Sequence, residues 1–127
     1  MVGLSPFDPI PPAPPGGRIL VVDDEGEVRE LLTECLSALG YRVSAVADAE
    51  EALEALGRGD DFALMITDLQ LSRGSGLALA ARVREGWPEV RLLLMSGYFV
   101  PLGLPGTVLK KPFSLDDLAR AVRTALG

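Results

Sequence analysis

The stretch Phe62-Ala63-Leu64-Met65-Ile66-Thr67-Asp68 decides the fold of this chain, because it is an apolar run of strand length that ends in a carboxylate. A polar, glycine-containing stretch follows, from Gln70 to Gly76. Open α/β sheets place their ligand chemistry at such a point, where a buried strand ends and a loop begins. A single Asp after a strand is more often a turn former, so the interpretation depends on the other strands.

Two further predicted strands end in polar residues in the same way. The run Arg18–Val22 leads into Asp23-Asp24-Glu25, and the run Val90–Met95 leads into Ser96-Gly97. In a doubly wound parallel sheet the carboxyl ends of the central strands meet at one edge. We therefore expect the paired aspartates after the first run to lie close to Asp68.

The composition indicates one globular domain without a membrane span. The chain has 127 residues, enough for a single good core, and 48% of them are hydrophobic. Its apolar runs are of strand length, far shorter than the roughly 20 residues that cross a bilayer. The N-terminus is acidic and proline-rich with no basic region, so it does not resemble a secretory signal, and we expect a cytoplasmic protein.

The charge and the missing residue types exclude several function classes. The formal net charge is −6 and no basic stripe occurs, which argues against direct binding of nucleic acid. The chain has no histidine, which excludes Ser-His-Asp and Cys-His catalysis, His-ligated zinc and a phosphohistidine of its own. The single Cys35 falls on the apolar face of a predicted helix, which favours a buried core position over a reactive thiol.

Residues 1–17 are predicted to be a Pro/Gly-rich linker or disordered tail, and residues 18–127 the folded domain. The first 17 residues hold six of the ten prolines, and the run Pro11–Gly17 is typical of a polyproline spacer that ends in a hinge. A ligand for a proline-binding partner is less favoured, because composition alone makes no recognition motif. The tail favours an upstream domain of the same parent protein.

From Arg18 onward the sequence alternates strand and helix patterns. Helices are predicted over about 25–39, 49–56 and 76–85 and after Ser114, and the remaining strands at 41–46 and 107–110. The apolar stripe of the first helix is predicted to comprise Val28, Leu31, Leu32, Cys35 and Leu39. The alternation predicts an α/β fold, a doubly wound five-stranded parallel sheet with helices on both faces. Two prolines and two glycines between 98 and 106 predict a shortened or irregular fourth helix.

The clustered acids require a cation. Three carboxylates at one sheet edge do not all stay ionised cheaply, because like charges repel. All-oxygen ligands with room for water suit Mg²⁺, which also leaves space for a phosphate oxygen. Capping of the first helix explains part of Asp24-Glu25, but it does not explain why two strands both end in acids.

A lysine and a hydroxyl complete the predicted site. The two lysines of the chain, Lys110 and Lys111, stand together at the end of the last predicted strand, where a solvated pair is the alternative interpretation. At the acidic edge one ammonium becomes a counter-charge for a carboxylate or an incoming phosphoryl group. Ser96 can donate a hydrogen bond to a phosphoryl oxygen, although it is also a common turn residue before Gly97. These groups form a site for taking a phosphoryl group onto an aspartate.

The motifs, in this order, resemble the receiver domain of two-component response regulators over about residues 18–126. The four motifs are Val21–Glu25, Ile66–Leu69, Met95–Gly97 and Lys111–Phe113. Each motif is weak alone, and the four together are highly specific. The resemblance implies the flavodoxin-like strand order 2-1-3-4-5 and a cis Lys111-Pro112 peptide. The compact fourth crossover is similar to that of receivers attached to hybrid histidine kinases.

The same resemblance implies a role for each site residue. Asp68 is the expected phosphoacceptor, Ser96 the switch hydroxyl and Lys111 the lysine that contacts the phosphate. The implied Mg²⁺ ligands are Asp23, Asp24, Asp68 and the backbone carbonyl of Gln70. Because the chain has no histidine, the phosphoryl group is expected from a histidine kinase or a histidine phosphotransfer protein. The expected activity is signalling, in which the domain catalyses only its own phosphoryl transfer and slow dephosphorylation.

Two departures from the family pattern affect the face that usually reports phosphorylation. Val108 stands three positions before Lys111, where the family usually has an aromatic residue. The segment from Ser96 to Lys111 is also shorter than expected. Gln70 and Tyr98 flank the site, where they are expected to tune dephosphorylation. The phosphoacceptor residues themselves are intact.

Three alternatives remain open at this point. A receiver-like interaction module that is never phosphorylated is suggested by Val108, although such a module has no reason to keep three facing carboxylates. A flavodoxin-type FMN carrier would need a phosphate-binding loop where this chain has Asp23-Asp24-Glu25. An aspartate-nucleophile phosphatase would need a second acid at the position of Gln70.

Overall fold

The structure is a computed structural model that describes residues 18–71, 74–97, 103–104 and 106–127. Its strands are β1 (Arg18–Val22), β2 (Arg42–Val46), β3 (Phe62–Asp68), β4 (Arg91–Ser96) and β5 (Thr107–Lys110). Its helices are α1 (Gly26–Ala38), α2 (Ala49–Gly57), α3 (Gly76–Gly86) and α4 (Leu115–Leu126). These elements agree closely with the predicted ones. The predicted tail at residues 1–17 lies outside the described residues, as does most of the segment predicted to hold the irregular fourth helix.

The five strands form one parallel sheet in the order β2-β1-β3-β4-β5, as predicted. In the register of β1 against β3, Val22 lies opposite Thr67, and in that of β3 against β4, Asp68 lies opposite Met95. The carboxyl end of β3 is therefore flanked by the ends of β1 and β4. The order reverses between β1 and β3, which is where sheets of this topology bind ligands.

Helices cover both faces of the sheet, as predicted, because successive strand residues point to opposite sides. Ile19 and Val21 pack into the cluster under α1 and α4, whereas Leu20 and Val22 pack into the cluster under α2 and α3. Because these strands are buried on both faces, nearly all of their residues are apolar, which is the pattern that predicted β1 and β3 from the sequence.

The buried stripe of α1 differs from the predicted one. Leu31 is 57% exposed, so its assignment to the core was wrong, and Leu36, which the prediction omitted, is fully buried. Leu32, Leu36 and Leu39 follow the i, i+4, i+7 spacing of one helix face. Leu31 is rotated by about 100° around the helix axis from Leu32, so it lies off that face. Cys35 is half-buried against this cluster rather than enclosed within it.

Side-chain caps define where three of the helices begin. At α3 the Ser75 hydroxyl accepts a hydrogen bond from Ala78 N at 3.3 Å. Ser114 and Asp117 form a reciprocal capping box at the start of α4. At α2 the Asp48 side chain accepts a hydrogen bond from Glu51 N at 2.9 Å, but the Glu51 carboxylate accepts from Ala47 N instead of returning to Asp48. The spacing of Asp48 and Glu51 is that of a capping box, but only half of the box is formed. Within the described ranges, no helix has the length and apolar character needed to cross a membrane.

Candidate functional site

Lys111 lies between two carboxylates at the carboxyl edge of the sheet. Its Nζ donates a hydrogen bond to Asp68 Oδ2 at 2.5 Å and lies 3.9 Å from Asp23 Oδ2. The structure thus brings together residues that are 43 and more positions apart in the sequence. The alternative interpretation of the lysine pair, two solvated cations at a strand end, is therefore wrong for Lys111.

The period of the strands explains why these three side chains meet. Val21, Ile66 and Leu109 are the last residues of β1, β3 and β5 that pack into the cluster under α1 and α4. Asp23, Asp68 and Lys111 each follow two positions later. Because side chains two apart along a strand share a face, all three leave the sheet on the same side.

Asp23 is buried, and its side chain is only 1% exposed. Its Oδ1 accepts a hydrogen bond from Glu25 N at 2.9 Å, and its own N–H donates to Val46 O at 3.1 Å. Its Oδ2 accepts no hydrogen bond from the described part of the chain. Burial raises the pKa of the Asp23 carboxyl, and this outweighs the lowering by the Glu25 N–H and the Lys111 ammonium.

Asp68 is more accessible than Asp23, with 14% of its side chain exposed. Its Oδ1 accepts a hydrogen bond from Gln70 N at 2.8 Å, while Oδ2 is held by Lys111. The backbone just after it continues the ladder, since Leu69 N donates to Met95 O at 2.9 Å. The carboxylate is therefore fixed in direction and still reachable from solvent.

Lys111 is fixed at both its backbone and its ammonium. Its N–H donates to Ser96 O at 2.8 Å, which ties the end of β5 to the end of β4. Burial lowers the pKa of the Lys111 ammonium, but the hydrogen bond to Asp68 and the charges of Asp68, Asp23 and Glu25 outweigh it, so the pKa is raised overall. The Lys111-Pro112 peptide is cis, as the resemblance implied.

A cleft of about 450 Å³ opens beside Asp68. Its lining residues are Asp24, Glu25, Asp68, Gln70, Leu71, Gly97 and Lys111. Ser96 is buried, with 5% exposure, and its neighbour Gly97 lines the cleft in its place. Gln70 borders the cleft as expected, and Tyr98 lies outside the described residues.

The acids after β1 form a group that includes one residue not predicted as a ligand. Asp23, Asp24 and Glu25 each offer a carboxylate oxygen, and these atoms lie within 4.8 Å of one another. Glu25 was not among the predicted ligands, and it is the N-cap residue of α1 but makes no side-chain capping bond. Its position in the Asp-Asp-Glu run was the signal that could have identified it.

The residues present fit a divalent cation. The donors are all carboxylate oxygens, which Mg²⁺ prefers, and the buried Asp23 Oδ2 has no hydrogen-bond donor among the described residues. A buried carboxylate oxygen that lacks a donor is costly unless a cation compensates it.

Val108 is half-buried and packs against the cluster under α2 and α3. An aliphatic side chain therefore occupies the position where the family usually has an aromatic one.

Residues 19–101 match the family model of the response regulator receiver domain. The chain belongs to this family. The receiver is 29% identical over 116 residues to the response regulator receiver protein CpdR of Brucella abortus, covering 86% of this chain and 96% of CpdR. It is 36% identical over 115 residues to the transcriptional regulatory protein TcrA of Mycobacterium tuberculosis, covering 85% of this chain. The receiver spans 45% of the length of TcrA, so it corresponds to one part of that protein.

Solved structures of receivers share the fold. The response regulator protein TrrA of Thermotoga maritima, in complex with Mg²⁺-BeF, is 32% identical with a TM-score of 0.78, covering 86% of this chain and 98% of that one. TrrA has also been solved in complex with the histidine kinase ThkA. The family and the flavodoxin-like fold predicted from four short motifs are thereby confirmed.

Proposed function

We propose that this receiver accepts a phosphoryl group from a phosphohistidine partner onto Asp68, with Mg²⁺ bound by the neighbouring acids, and changes conformation to signal. The observation that carries the proposal is the geometry of Lys111, whose ammonium binds Asp68 Oδ2 and faces the buried Asp23 Oδ2. A reachable carboxylate held beside a fixed cation and further acids is the arrangement that phosphoryl transfer requires.

In the transfer, an oxygen of Asp68 attacks phosphorus in line with the P–N bond of the donor. The O–P bond forms as the P–N bond breaks, and the imidazole, protonated on its other nitrogen, leaves as neutral imidazole with the electron pair. Lys111 neutralises charge on the transferred group, and Ser96 donates a hydrogen bond to it. Mg²⁺ supplies further neutralisation of the phosphoryl oxygens when it is bound.

The proposed Mg²⁺ ligands are Asp23, Asp24, Asp68 and the backbone carbonyl of Gln70. The closeness of the Asp23 and Asp24 carboxylates and the buried Asp23 Oδ2 support the first two ligands, and Asp68 and Gln70 line the same cleft as Asp24. The Mg²⁺-BeF complex of TrrA, at 32% identity, supports the same choice of metal. Glu25 adds a third acidic charge beside the first two and strengthens the attraction for a cation.

Phosphorylation would add about −1.5 to −2 units of charge at the carboxyl edge of the sheet. We expect Ser96 to turn toward the new charge and to rearrange the segment that follows it, which shifts a pre-existing equilibrium. Ser96 and Lys111 are already coupled through the hydrogen bond from Lys111 N to Ser96 O. With Val108 at the usual aromatic position, this segment rather than an aromatic rotamer would report the change.

The proposed partner is a histidine kinase or a histidine phosphotransfer protein, met in the cytoplasm. The complex of TrrA with ThkA supports a partner of this class. The net charge of −6 supports a protein partner rather than nucleic acid. We further propose that the first 17 residues link the receiver to an upstream domain. In this role the receiver turns over no substrate besides its own phosphoryl group.

The deciding experiment is intact mass spectrometry after incubation with acetyl phosphate, with and without Mg²⁺. We expect a gain of one phosphoryl group that requires Mg²⁺ and is absent in Asp68→Asn. Asp61→Asn is the matched control, because Asp61 is an exposed aspartate just before the opposite end of the same strand and should leave the mass gain intact. Labelling of Asp68→Asn at the wild-type rate would show that the acceptor is another residue.

The same experiment tests the alternative of a receiver-like interaction module. A protein that gains no mass but binds Mg²⁺ in calorimetry would need its partner for phosphorylation. A protein that neither gains mass nor binds Mg²⁺ would favour the interaction module.

A further inference from the structure

We propose that Arg29 is a positioning residue that fixes the Asp23 carboxylate for cation binding. Its Nη1 donates a hydrogen bond to the backbone carbonyl of Asp23 at 2.7 Å. Arg29 lies outside the predicted site. The inference rests on the proposed function insofar as the cation is Mg²⁺.

The Asp23 carbonyl needs a partner from outside the regular structure. The first acceptor of the helical ladder is Glu25 O, which Arg29 N reaches at 3.0 Å, so the helix leaves Asp23 O unused. Buried backbone carbonyls are almost always paired. The guanidinium of Arg29 meets this need with a charge-assisted hydrogen bond, which is stronger than a neutral one.

The reach of Arg29 follows from the helix itself. Side chains of a helix tilt toward its N-terminus, so a long side chain in the first turns extends back over the residues that precede the helix. The Arg29 carbonyl accepts a hydrogen bond from Thr33 Oγ1 at 2.7 Å, which anchors the backbone on the other side. A Cβ on Gly26 would lie at an ordinary van der Waals distance of 3.5 Å from Arg29 Nη2, so the guanidinium lies beside the first residue of α1.

With Arg29 in place, nearly every hydrogen-bonding group of Asp23 is held. Its N–H is bound to Val46 O, its carbonyl to Arg29 and its Oδ1 to Glu25 N. Oδ2 remains, and it faces Lys111 Nζ at 3.9 Å. The three fixed groups therefore restrict the direction of Oδ2, the oxygen that we propose binds the cation.

The position of the charge also argues that Arg29 has a specific role. A cation in the first turns of a helix opposes the helix dipole and is usually unfavourable there. Here the acids Asp23, Asp24 and Glu25 lie just before the helix and offset that cost. If Arg29 acted only through its charge, it would weaken cation binding, because it repels Mg²⁺. Positioning predicts the opposite sign, which makes the two roles separable.

The test compares Arg29→Gln, Arg29→Lys and the control Arg42→Gln, in which an exposed arginine at the far end of the neighbouring strand β2 is neutralised. Titration calorimetry measures Mg²⁺ affinity at 0.1 M salt. The Glu25 N–H donates to Asp23 Oδ1, so its amide hydrogen exchange, measured without metal, reports how firmly the Asp23 carboxylate is held. For Arg29→Gln we expect Mg²⁺ binding about three- to tenfold weaker and exchange at Glu25 about tenfold faster. Arg29→Lys should lie between it and the wild type, and Arg42→Gln should match the wild type.

Unchanged exchange at Glu25 in Arg29→Gln would overturn the proposal. Unchanged or tighter Mg²⁺ binding by that variant would also overturn it, since it would mean that Arg29 acts through charge or not at all. If the wild type itself bound no Mg²⁺ but exchange were faster in Arg29→Gln, the positioning of Asp23 would be upheld and the proposed metal site would be wrong.

Discussion

Gly76, the first residue of α3, lies against the backbone of Asp68. A Cβ built on Gly76 would overlap the Asp68 carbonyl oxygen and would lie 2.8 Å from the Asp68 carbonyl carbon and 2.9 Å from Leu69 Cα. The Gly76 N–H donates to Leu69 O at 3.0 Å, so the start of α3 is bonded to the same turn. The missing side chain at position 76 therefore sets how closely α3 supports the proposed phosphoacceptor.

We expect Gly76→Ala to displace the Asp68 backbone, because the added methyl has no room. The free energy of unfolding should fall by about 1–3 kcal/mol in urea titrations, and phosphoryl uptake should slow. Gly86→Ala, in the last turn of the same helix, is the control, because nothing lies within 4 Å of the added Cβ. That variant should be neutral or more stable by up to about 1 kcal/mol. Equal stability of the two variants would contradict the close contact.

The two adjacent lysines provide a matched pair. Lys111→Met should slow phosphoryl uptake from acetyl phosphate by about tenfold or more, because the cation beside Asp68 Oδ2 is lost. Lys110→Met removes the same charge from the exposed neighbour and should stay near the wild-type rate. Time-resolved intact mass measures both rates. Similar slowing in both variants would mean that only overall charge matters.

The buried carboxyl of Asp23 predicts a pH dependence of stability. Its pKa is raised by burial above the ordinary 3.8, so the Asp23 carboxyl binds its proton more tightly in the folded protein than in the unfolded chain. The stability that this difference contributes to the folded protein is complete below pH 3.8 and is lost as pH rises through the raised pKa. At pH 7, Asp23→Asn should therefore be more stable than the wild type by about 1–2 kcal/mol in metal-free urea unfolding. The difference should shrink toward pH 3.8, and a difference that grows at low pH would contradict the assignment.

Leu36 and Leu31 test which face of α1 is buried. Leu36 is fully enclosed, so Leu36→Ala should lower the free energy of unfolding by about 2–5 kcal/mol. Leu31 is 57% exposed, so Leu31→Ala should change it by less than about 0.5 kcal/mol. Both values come from the same urea titration. A large loss at Leu31 would support the original prediction from the sequence.

The strands were predicted well from the sequence because a fully buried strand is a continuous run of apolar residues, which can be recognised without knowing the rest of the fold. The runs ending at Val22 and Asp68 are continuously apolar, and their polar ends stand out against them. The helix faces were harder to predict, since leucines at 31, 32 and 36 fit more than one stripe. Their assignment depends on the angle at which α1 lies on the sheet, which no local pattern encodes.

By itself, the sequence determined the family and the strand order through the resemblance of its four motifs to receiver domains. It also predicted the side chains that meet at the carboxyl edge of the sheet, because the ends of parallel strands bring residues such as Asp23, Asp68 and Lys111 to one place. Only the tertiary structure decided which atoms touch there. The hydrogen bond from Arg29 to the Asp23 carbonyl, the grouping of Glu25 with the aspartates and the contact of Gly76 with Asp68 depend on distances between separate elements. Such distances depend on how the side chains of the whole core pack together, and this packing leaves no periodic pattern in the sequence.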